Sequence, residues 1–203
     1  MTYYAKSKPK ETIMEHTNIL LENLKVLKNI YSKDIERNKD FVNERFWYLL
    51  EIICKYHDIG KVYTPFQNII RQKLGEKIIE TEFSYEKVKH EQLSPMFVPV
   101  EKLGLTEDEK VLVYQAIYYH HERENKEISK EYIRRIIEKD VYPNIDKIKQ
   151  ELKIDIREKI DERYVKYIGD RITEHHHLYK KIYPEYCMLK GLLHRLDHSS
   201  SAE

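Results

Sequence analysis

Apolar residues recur at helical spacing along most of this chain. Ile13, His16, Leu20, Leu24 and Leu27 step by three and four, which predicts one face of a helix over about Glu11 to Tyr31, with Pro9 suited to its start. The polar run Ser32 to Lys39 reads as a loop. Phe46, Leu49, Leu50, Ile53 and His57 share the inner face of a second helix, about Asp40 to Tyr56, with Gly60 marking its stop. Thr64 to Leu74 is a short helix, with Thr64 as N-cap, Pro65 at the first helical position and Gly75 at the end. Glu76 to Ser84 reads as irregular. A helix over about Tyr85 to Leu103 follows, interrupted at Ser94-Pro95 by a kink or by a cap and restart. Thr106, with Glu109 three residues on, is a capping box that opens a helix through Leu112, Val113, Ala116 and Ile117 to His120 and His121. From Asn125 to Asp161 the chain is highly charged, with two or three short amphipathic segments broken at Pro143. The remaining helices cover about Glu162 to Tyr179 and Glu185 to Ser199. No repeat, low-complexity tract or β-hairpin signal is present, so the expected fold class is all-α.

The length of 203 residues suits one domain, 1–203, with enough chain to bury a full core. The low Gly and Pro content, 5 and 6 residues, agrees with helices rather than a turn-rich sheet. A formal net charge of +1 means that global charge does not argue for nucleic acid, so any such attraction must come from a local patch or from bound metal. Cys54 and Cys187 lack metal-ligand spacing and are too few for a disulfide framework; Cys54, near Trp47, Ile52 and Ile53, reads as a buried free thiol. No apolar run approaches membrane-spanning length and the N-terminus lacks a signal-peptide core, which makes the cytoplasm the default location and leaves no membrane partner.

Seven side chains change the picture from a generic helical domain to a candidate metal centre. His16, His57, Asp58, His90, His120, His121 and Asp197 each lie on, or at the end of, an apolar stripe. A lone histidine on such a stripe is ordinarily a satisfied core residue, and His16 or His90 alone would be read so. The pair His57-Asp58 gains weight from its position at the end of a buried helix, ahead of Ile59, Gly60 and Lys61. Adjacent helical residues point about 100° apart, so His120 and His121 can reach one site only from a helix end or edge. Asp197 continues the stripe Leu189, Leu193, where a buried carboxylate needs a partner, either a cation or a basic side chain such as Arg195 or an N-terminal lysine. Five imidazoles and two carboxylates suffice for two divalent ions, and an imidazole-rich shell suits Mn, Fe, Co, Ni or Zn better than Mg. Two ions about 3.5–4 Å apart can activate a water and clamp a phosphoryl oxygen. The ligands contribute roughly −2 against +4 from the ions, so the centre attracts phosphate even in a near-neutral protein.

The order of these residues resembles the HD superfamily of metal-dependent phosphohydrolases. The strings His57-Asp58-Ile59-Gly60-Lys61, Lys89-His90-Glu91-Gln92-Leu93-Ser94, Tyr119-His120-His121 and Gly191-Leu192-Leu193-His194-Arg195-Leu196-Asp197-His198 are similar to one member group, the HD nuclease domain of the type I CRISPR nuclease-helicase. The resemblance implies an HD-domain helical bundle with its metal site in the core. It implies a nuclease that degrades single-stranded DNA, endo- and exonucleolytically, during CRISPR interference. It implies that His16, His57, Asp58 and Asp197 bind one metal, that Asp58, His90, His120 and His121 bind the other, and that Lys61 is a catalytic group stabilising charge on the phosphate. Ser94 and Ser199 become candidate phosphate contacts. The implied partners are single-stranded DNA, a helicase domain or subunit, and an RNA-guided surveillance complex. No Walker A pattern occurs, so the expectation is a separate nuclease subunit or an excised domain, the stop soon after Asp197 favouring excision. Glu122 stands where many relatives carry glycine.

Two alternatives stay open on the residues themselves. One is an HD phosphohydrolase acting on a nucleotide or cyclic nucleotide. The other is a docking module for a CRISPR complex that keeps the ligands but works by binding. The run His175-His176-His177 is expected outside the centre, on a solvated face, and Lys6, Lys8 and Lys10 read as a solvated charge run or a DNA contact.

Overall fold

In the computed structural model, residues 2–121, 129–157, 159–160 and 162–201 are described. The chain is mostly helical, as the periodicity predicts, with one two-stranded antiparallel sheet that the pattern does not signal. Strands β1 (Tyr4–Ser7) and β2 (Lys10–Thr12) form an N-terminal hairpin, with Tyr4 opposite Thr12 and Lys6 opposite Glu11. Pro9 therefore sits in the hairpin turn, after a cis peptide bond, and not at a helix start. Gln67, fully buried, holds the hairpin to the body: Tyr4 N–H donates to its Oε1 (2.8 Å), and its Nε2 donates to the carbonyls of Tyr4 (2.9 Å) and Lys61 (2.7 Å).

Helix α1 (Ile13–Asn38) begins at a capping box in which the Thr12 hydroxyl accepts from Glu15 N–H and the Glu15 carboxylate accepts from Thr12 N–H. It continues through the stretch expected as a loop, Ser32 to Lys39, where partly buried Ile35 still packs on the core and Trp47 donates its indole N–H to Glu36. Helix α2 (Glu44–Tyr56) is capped by the Asn43 side chain, which accepts from the N–H groups of Arg45 and Phe46. His57 and Asp58 lead into a 3-10 turn, Ile59–Val62, and then helix α3 (Thr64–Lys73), with Tyr63 rather than Thr64 as the residue before it.

The expected long helix over Tyr85 to Leu103 is replaced by a single turn, α4 (His90–Leu93), and a 3-10 turn, Ser94–Phe97. Pro95 and Pro99 deny backbone donors to a continuous helix. Helix α5 (Glu107–Tyr118) starts at the expected Thr106 capping box and ends just before the two histidines. The charged stretch holds α6 (Lys130–Ile136), a π turn (Ile137–Val141), a 3-10 turn around Pro143 and α7 (Ile145–Leu152). The helix expected over Glu162 to Tyr179 ends early: α8 (Val165–Ile168) is one turn, followed by successive turns up to α9 (Tyr183–Ser201).

Helices α1, α2, α5 and α9 pack against one another, and one hydrophobic cluster joins Leu20 and Leu24 of α1, Leu50 and Ile53 of α2, Val113 and Ile117 of α5, and Leu189 and Leu193 of α9. A smaller cluster of Tyr4, Phe66 and Ile70 lies under the hairpin. No helix of the described residues is long and apolar enough to cross a membrane.

Candidate metal centre

All seven candidate ligands converge. His16 comes from the first turn of α1, His57 and Asp58 from the end of α2, His90 from the start of α4, His120 and His121 from just past α5, and Asp197 from α9. They form two groups, each with one ligand atom per residue and all of those atoms within 4.8 Å of one another. One is His16, His57, Asp58 and Asp197; the other is Asp58, His90, His120 and His121. Asp58 belongs to both, and its two oxygens divide between them. Oδ2 faces His16 Nε2 (3.5 Å) and His57 Nε2 (3.6 Å), whereas Oδ1 faces His90 Nε2 (3.2 Å) and His120 Nε2 (3.7 Å). Asp197 Oδ1 lies 3.1 Å from His16 Nε2 and 3.8 Å from His57 Nε2.

The outer nitrogens explain why the inner ones point this way. His57 Nδ1–H donates to the Cys54 carbonyl (2.9 Å) and His120 Nδ1–H to the Ile117 carbonyl (2.6 Å), each three residues back in its own helix. His16 Nδ1 lies 3.0 Å from Glu11 Oε1, and His90 Nδ1 lies 3.2 Å from Glu91 Oε2. With Nδ1 carrying the proton, the neutral imidazoles of His90 and His120 turn an Nε2 lone pair toward the Asp58 carboxylate. Such lone pairs repel unless a cation or a further proton lies between them. His57 Nε2, Asp58 Oδ1, His90 Nε2 and His120 Nε2 are all buried without a hydrogen-bond partner; the 3.2 Å approach of His90 to Asp58 is close but misaligned. Orphaned donor atoms of this chemistry, at this convergence, fit divalent transition-metal ions.

The electrostatics agree with a cation-seeking centre. Burial raises the Asp58 carboxyl, but the Lys61 ammonium and then His57 outweigh it and hold it well below the usual carboxylate range. Burial likewise opposes ionisation of Asp197, yet the close approach of His16 and His57 keeps it low. His90 is pushed down to about 3 by burial, against the pull of Asp58, and His121 to about 4 by burial and by His120. His120 is lowered by burial as well. His57 shows the opposite: burial disfavours its charge, but Asp58 and Asp197 raise it. Carboxylates are thus ionised and the second group's imidazoles neutral near pH 7, which is the ligand form a metal needs.

Lys61 Nζ lies 2.5 Å from Asp58 Oδ2, on the edge of the centre. Ser94 is corrected. It is fully buried, and its Oγ accepts from Gly60 N–H (2.9 Å) and donates to the His90 carbonyl (3.0 Å), so it braces the ligand loop. Ser199 is exposed on α9 and donates to the Leu196 carbonyl. Gly60 is not the left-handed stop expected for α2. A Cβ there would lie 2.1 Å from the His90 carbonyl oxygen, so glycine permits a close approach of backbone to α4. His175 to His177 lie in turns outside both ligand groups. Of the lysine run, Lys6 pairs with Glu11 and Lys10 with Glu76. Cys54 is fully buried. Glu122 lies outside the described residues.

Sequence reasoning missed Glu11, which was absorbed into the first helix. The signal was available in Thr12 and Glu15, a capping pair that starts the helix two residues later and releases Glu11 to the strand. No family model, curated protein or solved structure matches the chain.

Proposed function

We propose that this chain is an HD-superfamily nuclease domain that hydrolyses single-stranded DNA, with two divalent transition-metal ions, Mn, Fe, Co, Ni or Zn, as cofactors. One observation carries the reading: two four-residue ligand groups share Asp58, one carboxylate oxygen per group, and four of their buried donor atoms have no other partner. When bound, a pair of such ions supplies an activated water and charge to offset the phosphoryl oxygens.

The chain's own residues do the rest. Asp58 holds the two groups at a fixed separation. The backbone carbonyls of Cys54 and Ile117 hold His57 and His120 in one tautomer, so that little reorganisation accompanies binding. His121 and Asp197 are the more exposed ligands and mark the side from which a strand approaches. Lys61, partly exposed beside Asp58, is placed to meet a phosphate oxygen entering there. The resemblance of the four strings around these residues favours a DNA strand as substrate, in the cytoplasm, with a helicase domain or subunit and an RNA-guided surveillance complex as partners.

The test uses chelator-stripped protein incubated with circular single-stranded DNA, duplex DNA and nucleotides, each metal being added in turn. Degradation of the circle with Mn, Co, Ni or Fe, abolished in Asp58→Ala, is expected. Hydrolysis of nucleotides with DNA left intact would overturn the nuclease reading in favour of a nucleotide phosphohydrolase. Inertness toward every substrate despite bound metal would make the chain a docking module.

A further inference from the structure

The N-terminal hairpin reaches the centre through one buried relay. Glu11 on β2 is 7% exposed, although a carboxylate on a short edge strand would ordinarily face water. Its Oε1 lies 3.0 Å from His16 Nδ1, and its Oε2 lies 2.5 Å from Lys6 Nζ on β1. The same Lys6 ammonium donates to the Ser200 carbonyl (3.3 Å) in the last turn of α9, and Ser200 Oγ donates to the Asp197 carbonyl (2.7 Å). Cross-strand pairing of Lys6 with Glu11 sets this up, because it stands the two side chains next to each other on one face.

We infer that Glu11 is a positioning residue for the first metal position, and that the hairpin acts as its outer clamp. This rests on the metal reading proposed above. His57 and His120 take their orientation from carbonyls of their own helices, which form whether or not the hairpin is present. His16 has no such carbonyl in its relay. The partner of its Nδ1 is the Glu11 carboxylate at 3.0 Å, so its orientation is supplied from the strand. A carboxylate accepting from Nδ1–H fixes the tautomer that leaves Nε2 as the ligand atom. Lys6 pairs with the carboxylate and ties it to the helix that carries Asp197. One relay thus sets two ligands of the first group, His16 directly and Asp197 through its helix, and none of the residues that belong only to the second.

Cobalt(II) is the probe, added to chelator-stripped full-length protein and followed by calorimetry and by its visible ligand-field absorption. The wild type should take up two ions. Glu11→Ala should weaken one affinity by roughly 10–100-fold and alter its absorption band, with the other affinity unchanged. Glu11→Gln should recover part of the loss, because its amide oxygen still accepts from Nδ1–H. Lys6→Gln, which leaves the carboxylate in place, should weaken the same ion by less and serves if Glu11→Ala does not fold. In a His16→Ala background, Glu11→Ala should lose most of its effect on cobalt affinity, keeping only the part transmitted through Asp197. Both affinities unchanged in Glu11→Ala, both lowered equally, or a full additional loss in the His16→Ala background would overturn the inference while leaving the metal reading intact. A wild type that takes up no cobalt would overturn the metal reading and this inference with it.

Discussion

Substituting Gly60 by alanine adds one methyl group where the backbone of α4 already lies. The new Cβ would sit 2.1 Å from the His90 carbonyl oxygen, 2.8 Å from Ser94 N and 2.9 Å from the His90 carbonyl carbon. An ordinary C···O approach is about 3.3 Å, so α4 must retreat by roughly 1 Å. All three atoms are backbone, and no side chain can swing aside to relieve the contact. Overpacking of this kind costs about 1–3 kcal/mol. Stretching the Gly60 N–H bond to Ser94 Oγ, now 2.9 Å, adds about 1 kcal/mol. Together Gly60→Ala should lose about 2–4 kcal/mol in urea unfolding of the chelator-treated protein. The same displacement carries His90, whereas metal–ligand distances tolerate only about 0.2 Å. Plasma mass spectrometry should therefore find one tightly held ion where the wild type holds two, the first group surviving. A Gly60→Ala protein with wild-type urea midpoint and both ions retained would refute the close-approach reasoning, because it would show that α4 has room to yield.

Ser94→Ala leaves the Gly60 N–H buried without its acceptor and should destabilise by about 1–3 kcal/mol in urea unfolding. Its salt dependence of single-stranded DNA binding should match the wild type, and a shallower slope would restore Ser94 as a phosphate contact. At the far end of α5, Arg45 grips the Glu109 carboxylate through two hydrogen bonds of 2.6 and 2.7 Å, and with Thr106 this lowers its pKa from 4.5 to about 2 against a smaller effect of burial. The unfolded carboxylate takes up its proton near 4.5 and the folded one near 2, so this contribution is complete above 4.5 and is lost as pH falls toward 2. Arg45 is 43% exposed, which limits the pair to about 1 kcal/mol. Glu109→Gln should flatten that part of the acid-unfolding curve, and an unchanged curve would show the pair to be without effect.

Legibility followed burial geometry. Helices α2 and α9 keep an exposed side, so their apolar stripes predict them within a few residues, whereas α5, buried all round from Leu112 to Tyr118, is marked by its Thr106 capping box. The ligand set was legible for the same reason, since costly side chains on such stripes need partners. Residues 90–100 failed because every one of them is buried; with all sides covered there is no apolar period to separate a 3-10 turn from a helix. Ser32 to Lys39 failed in the opposite way, being nearly all polar and yet helical through Asn38, with Ile35 packed on the core. The hairpin was invisible because its strands are four and three residues long and are held by Gln67, 63 positions from Tyr4. No local pattern reports a contact of that range.

His16 and Asp197 meet across 181 positions of sequence. A chain still emerging from the ribosome, or any fragment that stops short of Asp197, lacks one ligand of the first group however well its other helices have formed. Closing so long a loop costs entropy that grows with the logarithm of its length, and an ion held at both ends offsets that cost only in the folded state. In a protein proposed to cut DNA, hydrolytic competence and completed folding would become the same event, and partly made chains would be harmless by construction.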